Sequence, residues 1–356
     1  MTSQVVITAT IPHQGSFAGA VAYDAVTNEV VVIDQTAGNV KFYDRATSAL
    51  LQQYPVPTGS LAIGGQVDIT TGRLWVVGEN EIVYEIDRSG IIVSSWSCAP
   101  TISDASALAL DPLNDTVWIS NDSAHIVAEF TKTGIYTSNQ FVPIGSTDGD
   151  GLAYDPYSRT FLLGEDTLNQ IIVVDRTGAQ VAVFPVAGLG ISPEGLDVDS
   201  TTGTVFVGNG NIAPVAVFEL AGVIQAPPLG AFTRYGTPCG AKIAASGILR
   251  DDGLTGTGTW IGYEGALPAG SPYLFVIGFT QQAIPLSVVL PSPCTAWAFP
   301  EALSIFGLTN ANRRAGLRLP VPPGNIGLTL TFWSADFDLF GFSIPSSSDG
   351  IQLTIQ

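Results

Sequence analysis

Five short apolar runs in this chain each end in an aspartate, at positions 24, 68, 111, 155 and 199, with spacings of 44, 43, 44 and 44 residues. A second acidic register follows about twenty positions behind the first, at Asp44, Asp87, Asp175 and Glu219, with Phe130 and Thr131 in the slot of the third unit. Two registers in phase over five units leave little room for any fold but a repeat architecture. Each unit reads as strand, turn, strand, turn, strand, turn, strand, as in Gly151 to Asp155, Thr160 to Gly164, Gln170 to Asp175 and Ala179 to Pro185. β-Branched and aromatic residues fill the strands, and Asp-Pro, Thr-Gly and Ser-Gly pairs mark the turns. Four short antiparallel strands at this period make one propeller blade.

The fifth unit supplies only three strands, Gly195 to Asp199, Gly203 to Gly208 and Ala213 to Leu220. Its missing outer strand is expected from Gln4 to Ile11, whose apolar run into Pro12 matches the end of the fourth unit. Closure of the ring by the N-terminus would remove an exposed edge. The expected fold is therefore all-β, with a five-bladed β-propeller over residues 1–225 followed by an antiparallel β-sandwich over 226–356. The second part has no 44-residue period, but about eight apolar segments alternate with turns and show no helical periodicity.

The repeats resemble the NHL and YncE-like propellers, in the pattern Gly-Leu-Ala-Tyr-Asp-Pro, Thr-Phe-Leu-Leu-Gly-Glu-Asp and Gln-Ile-Ile-Val-Val-Asp-Arg-Thr-Gly across Gly151 to Gly178. That resemblance speaks to fold rather than activity, because such propellers include binders, scaffolds and enzymes. The C-terminal part resembles a β-sandwich carried by many secreted planctomycete and myxobacterial proteins, in Tyr235 to Cys239, Gly265 to Gly278, Pro285 to Cys294, Leu317 to Pro323 and the closing Leu353-Thr354-Ile355. The resemblance implies a disulfide between Cys239 and Cys294, and both cysteines lie beside prolines at strand ends. Buried thiols are the other reading of three cysteines, with Cys98 left over in the second unit.

Charge narrows the partners. The net charge of −18 and pI near 4.2 exclude nucleic acid and anionic membranes. They leave cations, neutral glycans and other proteins. Only 12% of residues are charged and the mean hydropathy is +0.34, which fits burial between subunits or a robust secreted domain. Met1 to Gln4 lack a basic stretch and Val5 to Ile11 is too short for a signal peptide, so the chain is expected to be either cytosolic or a mature secreted form.

Oxygen ligands gather at one mouth of the expected propeller. Loops entering the innermost strands carry Asp104, Asp148, Asp150 and Glu194, and loops between second and third strands carry Asp34, Glu79, Asn121, Asp122, Glu165, Asp166, Asn209 and Asn211. Such a funnel suits Ca²⁺, and Asp104, Asp148, Asp150 and Glu194 are the candidate metal ligands. Glu194, after Pro193, resembles the inner-strand carboxylate of metal-dependent lactonase propellers, although the later blades lack that family's Asn and Asp pair. The alternative for all of them is ordinary turn chemistry, as it is for the five repeat aspartates. His13 and His125 stand at unrelated repeat positions with no zinc spacing. Asp336 and Asp338 beside Trp333, Phe337 and Phe340 form either a sugar-binding edge or a hairpin with core-facing aromatics. With no nucleophile elbow or nucleotide loop, the expected role is a non-enzymatic, extracellular, self-associating structural or interaction protein. A Ca²⁺-dependent glycan binder and a metal-dependent hydrolase are the alternatives.

Overall fold

The computed structural model describes residues 4–58, 61–147, 149–210, 214–225, 228, 231–245, 258–279, 281–285, 292, 294–298, 303–320, 327–338 and 343–355. Two compact units divide the chain, one made chiefly of residues 1–226 and the other chiefly of 227–356. The candidate residues Asp148, Asn211 and Phe340 lie outside the described residues.

In the first unit the described residues form five four-stranded antiparallel sheets. Sheet I is Ala18–Asp24, Glu29–Asp34, Asn39–Asp44 and Leu50–Pro55. Sheet II is Ala62–Asp68, Arg73–Gly78, Ile82–Ile86 and Ile92–Ser97, and sheet III is Ala105–Asp111, Thr116–Asn121, Ile126–Thr131 and Tyr136–Phe141. Sheet IV is Gly151–Asp155, Thr160–Glu165, Gln170–Asp175 and Gln180–Pro185. Sheet V takes Pro193–Asp199, Thr204–Asn209 and Ala216–Ala221 from the end of the repeat and its outer strand, Val6–Pro12, from the N-terminus. That closing strand runs antiparallel to Ala216–Ala221 from Val6 opposite Ala221 to Pro12 opposite Ala216, as the incomplete fifth unit predicts.

Burial grades outward along each sheet. Ala18–Asp24 and Ala105–Asp111 are buried along their whole length, whereas the outer strands Leu50–Pro55 and Ile92–Ser97 are largely open to solvent. The innermost strands follow one another around a closed ring, I to V and back to I. Only small residues fit where they meet. A Cβ added at Gly64 would sit 2.5 Å from Ala107 Cα, and one at Gly195 would sit 2.5 Å from Val21 N. Further along the same strands the equivalent register reads Ala22, Gln66, Ala109, Ala153 and Asp197, so two polar side chains stand where the other sheets carry alanine. Asp197 of sheet V accepts from Tyr23 N of sheet I at 2.6 Å, from Val198 N at 2.7 Å, and from Gln66 Nε2 of sheet II. Gln66 Oε1 in turn accepts from Leu110 N of sheet III. Four of the five sheets are thus stitched through one buried carboxylate and one amide.

The sheets are also pinned to one another by cations in register. Arg45, Arg88, Lys132 and Arg176 stand 43, 44 and 44 residues apart, each one or two residues after the third strand of its sheet. Arg45 of sheet I pairs with Glu219 at 2.8 Å and Asp199 at 3.5 Å in sheet V, and Arg88 of sheet II pairs with Glu29 of sheet I at 2.6 Å. Lys132 of sheet III reaches Asp68 of sheet II at 2.7 Å, and Arg176 of sheet IV reaches Asp111 at 2.5 Å and Glu129 at 3.4 Å in sheet III. The guanidinium groups lie against aromatic rings, Arg45 beside the stacked pair Tyr23 and Phe206 and Arg176 beside Trp118 and Tyr154. In sheet V the same register holds Leu220, which is buried in the apolar cluster between sheets IV and V. There an apolar contact takes the place of the ion pair, an exchange that proteins tolerate well. The repeat aspartates therefore do more than the turn chemistry read from sequence. Asp111 accepts from Leu113 N at 2.8 Å and Asp199 from Thr201 N at 3.0 Å, but both also anchor a neighbouring sheet.

The second register serves the turns at Asp44 and Asp175, which accept from Thr47 N at 2.7 Å and Thr177 N at 2.8 Å. The Thr177 hydroxyl and amide hold the Asp175 carboxyl below its ordinary range. Thr131 fills the empty slot of the third unit with the same role, its Oγ1 accepting from Ile135 N at 3.0 Å.

The second unit is a sandwich. A six-stranded antiparallel sheet holds Phe232–Tyr235, Gly350–Thr354, Thr329–Asp338, Pro272–Gly278 and Leu303–Leu308 in that order, with Ser343–Ser347 pairing Thr329–Asp338. Strand alternation splits its side chains between two faces. Phe275, Ile277, Phe332, Ile351 and Leu353 pack on Ile243, Ile261 and Tyr263 of a three-stranded sheet, Lys242–Ala245, Gly258–Glu264 and Arg314–Pro320. Val276, Trp333 and Ala335 pack on the other side against Cys294, Ala296 and Ile344. Cys239 and Cys294 form a disulfide across 55 residues. Cys98 of the first unit is a buried free thiol whose pKa burial pushes up to about 12.

The sugar-edge reading of Asp336 does not survive. Its carboxylate is fully buried, accepts from Tyr263 Oη at 2.7 Å, Ala266 N at 2.8 Å and Leu267 N at 3.1 Å, and also takes the Ser346 hydroxyl. Trp333 is buried too, so neither presents a face to a ligand.

Candidate functional site: an acidic axial cup

Four of the inner strands carry a β-bulge at the same register. The pairing shifts between Ala18 and Ala20, Ala62 and Gly64, Ala105 and Ala107, and Pro193 and Leu196. A bulge inserts an unpaired residue and re-aims its side chain. The residues so displaced are Gly19, Ile63, Ser106 and Glu194, and Asp150 holds the equivalent place in sheet IV just before Gly151–Asp155. All five line one open cup of about 170 Å³. Its floor is the ring of Gly64, Ala107, Gly151 and Gly195, where the strands pack too closely to leave a channel.

The rim comes from neighbouring loops, Gln35, Glu79 and Asp122 after the second strands and Asp104 before the third inner strand. Backbone bonds hold these loops in place, Asp122 N to Asp104 O at 2.9 Å, Glu79 N to Leu61 O at 3.0 Å and Asp150 N to Gly164 O at 3.1 Å. Five carboxylates, Glu79, Asp104, Asp122, Asp150 and Glu194, therefore face one cup whose described lining contains no basic side chain. Glu194 is the most buried of them and Asp104 and Glu79 the most exposed. Of the expected ligand set, the structure brings together Asp104, Asp150 and Glu194. Among the described residues no three His, Cys, Asp or Glu side chains are arranged to hold a metal ion.

The loop residues Asp34, Asn121, Glu165 and Asn209 do not line the cup, contrary to the sequence expectation. Each ends a second strand, at positions that follow the repeat, and turns back to satisfy local donors. Asn121 Oδ1 accepts from Ala124 N at 3.0 Å, Glu165 accepts from Thr147 N at 3.1 Å, and Asn209 Oδ1 accepts from Ser192 N at 2.8 Å. Asp34 is taken up by Ala37 N at 3.0 Å, Lys41 Nζ at 3.1 Å and Ser16 N at 3.2 Å. Asp166 takes the Thr167 hydroxyl at 3.1 Å and also stays outside the described lining. In three of the sheets cup and turn residues stand one step apart in register. In sheets I and III the last residue of the second strand, Asp34 or Asn121, is a turn acceptor and the residue after it, Gln35 or Asp122, faces the cup; in sheet II Gly78 ends the strand and Glu79 faces the cup, whereas Asp166 in the same place of sheet IV does not.

His125 is exposed in the turn after Asp122. His13 is not. Its side chain is buried against Asp34 and Tyr43, a role that its isolated place in the sequence does not announce.

No protein-family model and no curated protein matches the sequence. Among solved structures the chain is similar to a calcium-binding protein, regucalcin, from Agrobacterium tumefaciens, at 10% identity and a TM-score of 0.43 over 60% of this chain and 93% of that one. It is also similar to a chain of a nidogen/laminin complex, at 13% identity and a TM-score of 0.38 over 50% of this chain and 66% of that one. The sheets and their order make this chain an all-β protein, a β-propeller followed by an antiparallel β-sandwich.

Proposed function

We propose that the chain is a non-enzymatic extracellular interaction protein whose axial cup takes a hard divalent cation, Ca²⁺ in the first place. The observation that carries this is the convergence of five carboxylates from sheets II, III, IV and V on one cup with no basic side chain in its described lining. Carboxylate oxygens are the donors Ca²⁺ prefers, and with no three of them gathered around one point, water would complete its shell. Such a site belongs with weak extracellular ones, at a Kd of about 10⁻⁴–10⁻³ M. The disulfide is compatible with an oxidising compartment. Among the described residues no helix is long and apolar enough to cross a membrane. Calorimetric titration with CaCl₂ is expected to show binding in that range, weakened at least fivefold in Asp150→Asn and in Glu194→Gln. Equal isotherms for wild type and the double variant would sink the cup as the site.

Self-association is the second part of the reading, and a sheet edge favours it. Leu303–Leu308 ends the six-stranded sheet and pairs only with Pro272–Gly278 among the described residues, while Phe306 is 66% and Leu308 68% exposed. An open edge bearing apolar side chains is a template for another strand. Light scattering of the purified chain is expected to show oligomers that Phe306→Lys disperses. A wild-type chain that stays monomeric at high concentration would exclude assembly through this edge.

A further inference from the structure

His13 sits where the propeller is closed. It directly follows the closing strand Val6–Pro12, and its backbone N–H donates to Val215 O at 3.3 Å on the sheet V side. Its ring turns the other way, into sheet I. Nε2 lies 3.3 Å from Asp34 Oδ2 at the end of Glu29–Asp34, and Nδ1 lies 3.2 Å from Tyr43 Oη on Asn39–Asp44. Lys41, on that same strand, pairs with Asp34 at 3.1 Å and donates to Gln14 O, and Gln14 N donates to Tyr43 Oη at 3.0 Å. The side chains of His13 and Asp34 are fully buried and that of Lys41 nearly so. Gly15 covers them: a Cβ there would collide with Asp34 Oδ2, His13 Nε2 and Lys41 Nζ together, so the loop seals the cluster only because residue 15 has no side chain.

We propose that this cluster is an acid-sensitive latch on the ring closure, in which protonation of His13 loosens the closing strand from sheet I. The neutral ring satisfies every partner. Nε2–H donates to Asp34, and Nδ1 accepts the Tyr43 hydroxyl proton while Tyr43 Oη accepts Gln14 N–H. Protonation at Nδ1 turns that acceptor into a donor. The Tyr43 hydroxyl proton then loses its partner, and Asp34 faces two cations, His13 and Lys41, in a site closed to water.

The balance of neighbours has the same sign. Burial and the Lys41 ammonium lower the His13 pKa, and the Asp34 carboxylate raises it by less. On Asp34, burial opposes the charge, but the Ala37 and Ser16 amides and Lys41 outweigh it and hold the carboxyl below its ordinary value. Asp34 thus stays ionised while His13 titrates. A histidine whose folded pKa is depressed supports the fold at neutral pH, and that support is lost as the pH falls below about 6.5 through the folded value.

The molecule holds two histidines, so both ring resonances can be followed in the intact chain by NMR. His13 is expected to titrate below about 6.5. Over the same pH range amide exchange, corrected for intrinsic rates, is expected to rise at least tenfold in Val6–Pro12 and in Ala216–Ala221 while Thr116–Asn121 of sheet III is unchanged. His13→Asn should abolish that step, and Tyr43→Phe, which removes the donor to the neutral ring, should move its midpoint to higher pH. The latch is overturned by a His13 that titrates at or above the ordinary value, by an exchange rise shared equally with sheet III, by a step that persists in His13→Asn, or by a midpoint that Tyr43→Phe leaves in place. Should His13→Asn not fold, the wild-type titration and the Tyr43→Phe shift decide.

Discussion

Arg176→Met is expected to lower the stability of the propeller by about 3 kcal/mol, the low end of the cost of breaking a buried ion pair from one side. Asp111 is completely buried, and Arg176, with 28% of its side chain exposed, is its ionic partner across the boundary between sheets III and IV. Removing the guanidinium leaves that carboxylate charged and without its counter-ion in a site from which water is largely excluded. The methionine stem keeps much of the apolar contact with Trp118 and Tyr154, so the loss isolates charge from packing. Chemical denaturation at pH 7 measures it. The double variant Arg176→Met with Asp111→Asn should recover a good part of the loss, because asparagine retains the turn bond to Leu113 N without the stranded charge. If the double variant is as unstable as the sum of the two single ones, the pin contributes nothing as a pair.

Asp197→Asn is expected to change the pH dependence of stability more than its value at any one pH. Burial pushes the Asp197 carboxyl up to about 7, and the Tyr23, Val198 and Gln66 donors offset only part of that push. The unfolded chain binds this proton with a pKa near 3.9. Between those two values the native state holds a proton that the unfolded state has released, so the contribution of Asp197 is complete below about 4 and falls away as the pH rises to about 7. Roughly three pKa units correspond to about 4 kcal/mol over that window. Denaturation of wild type and variant at pH 4.5, 6 and 7.5 should therefore give a stability difference that drifts in favour of the variant as the pH rises. A difference that stays constant across the three would show that Asp197 does not titrate in the native state. The direction is opposite to that of His13, whose support is lost on the acid side. Amide exchange separates the two, since Asp197 acts at the axis and His13 at the closing strand.

Much of the propeller was legible in one pass along the chain. Aspartates 24, 68, 111, 155 and 199 mark the ends of the inner strands because a turn needs a short acceptor at a fixed place, and a repeat puts that place at a fixed spacing. The incomplete fifth unit likewise requires a strand from elsewhere, and the N-terminal run supplies it. The cup was half legible. Asp104, Asp150 and Glu194 stand where inner strands begin, but Asp34, Asn121, Glu165 and Asn209 share the same composition and neighbourhood as Glu79 and Asp122. Whether such a side chain turns into its own loop or faces the axis is set by where the strand ends and how its loop bends, as Asp122 and Asp166 differ at one place in the repeat, and composition does not carry that.

The sequence by itself determined the period, the strand order within each sheet and the acidity of one mouth. All of these are local or periodic properties, written in spacing and residue type. Tertiary structure decided what joins the sheets. The register of Arg45, Arg88, Lys132 and Arg176 is visible in the sequence, yet only the placing of one sheet beside the next shows that each cation reaches a carboxylate of its predecessor and that Leu220 replaces the fifth. The same holds for Gln66 with Asp197, 131 residues apart, and for His13 with Asp34 and Tyr43. A buried polar group is tolerated only when partners surround it, and here those partners come from different sheets, so no single stretch of sequence contains the whole arrangement.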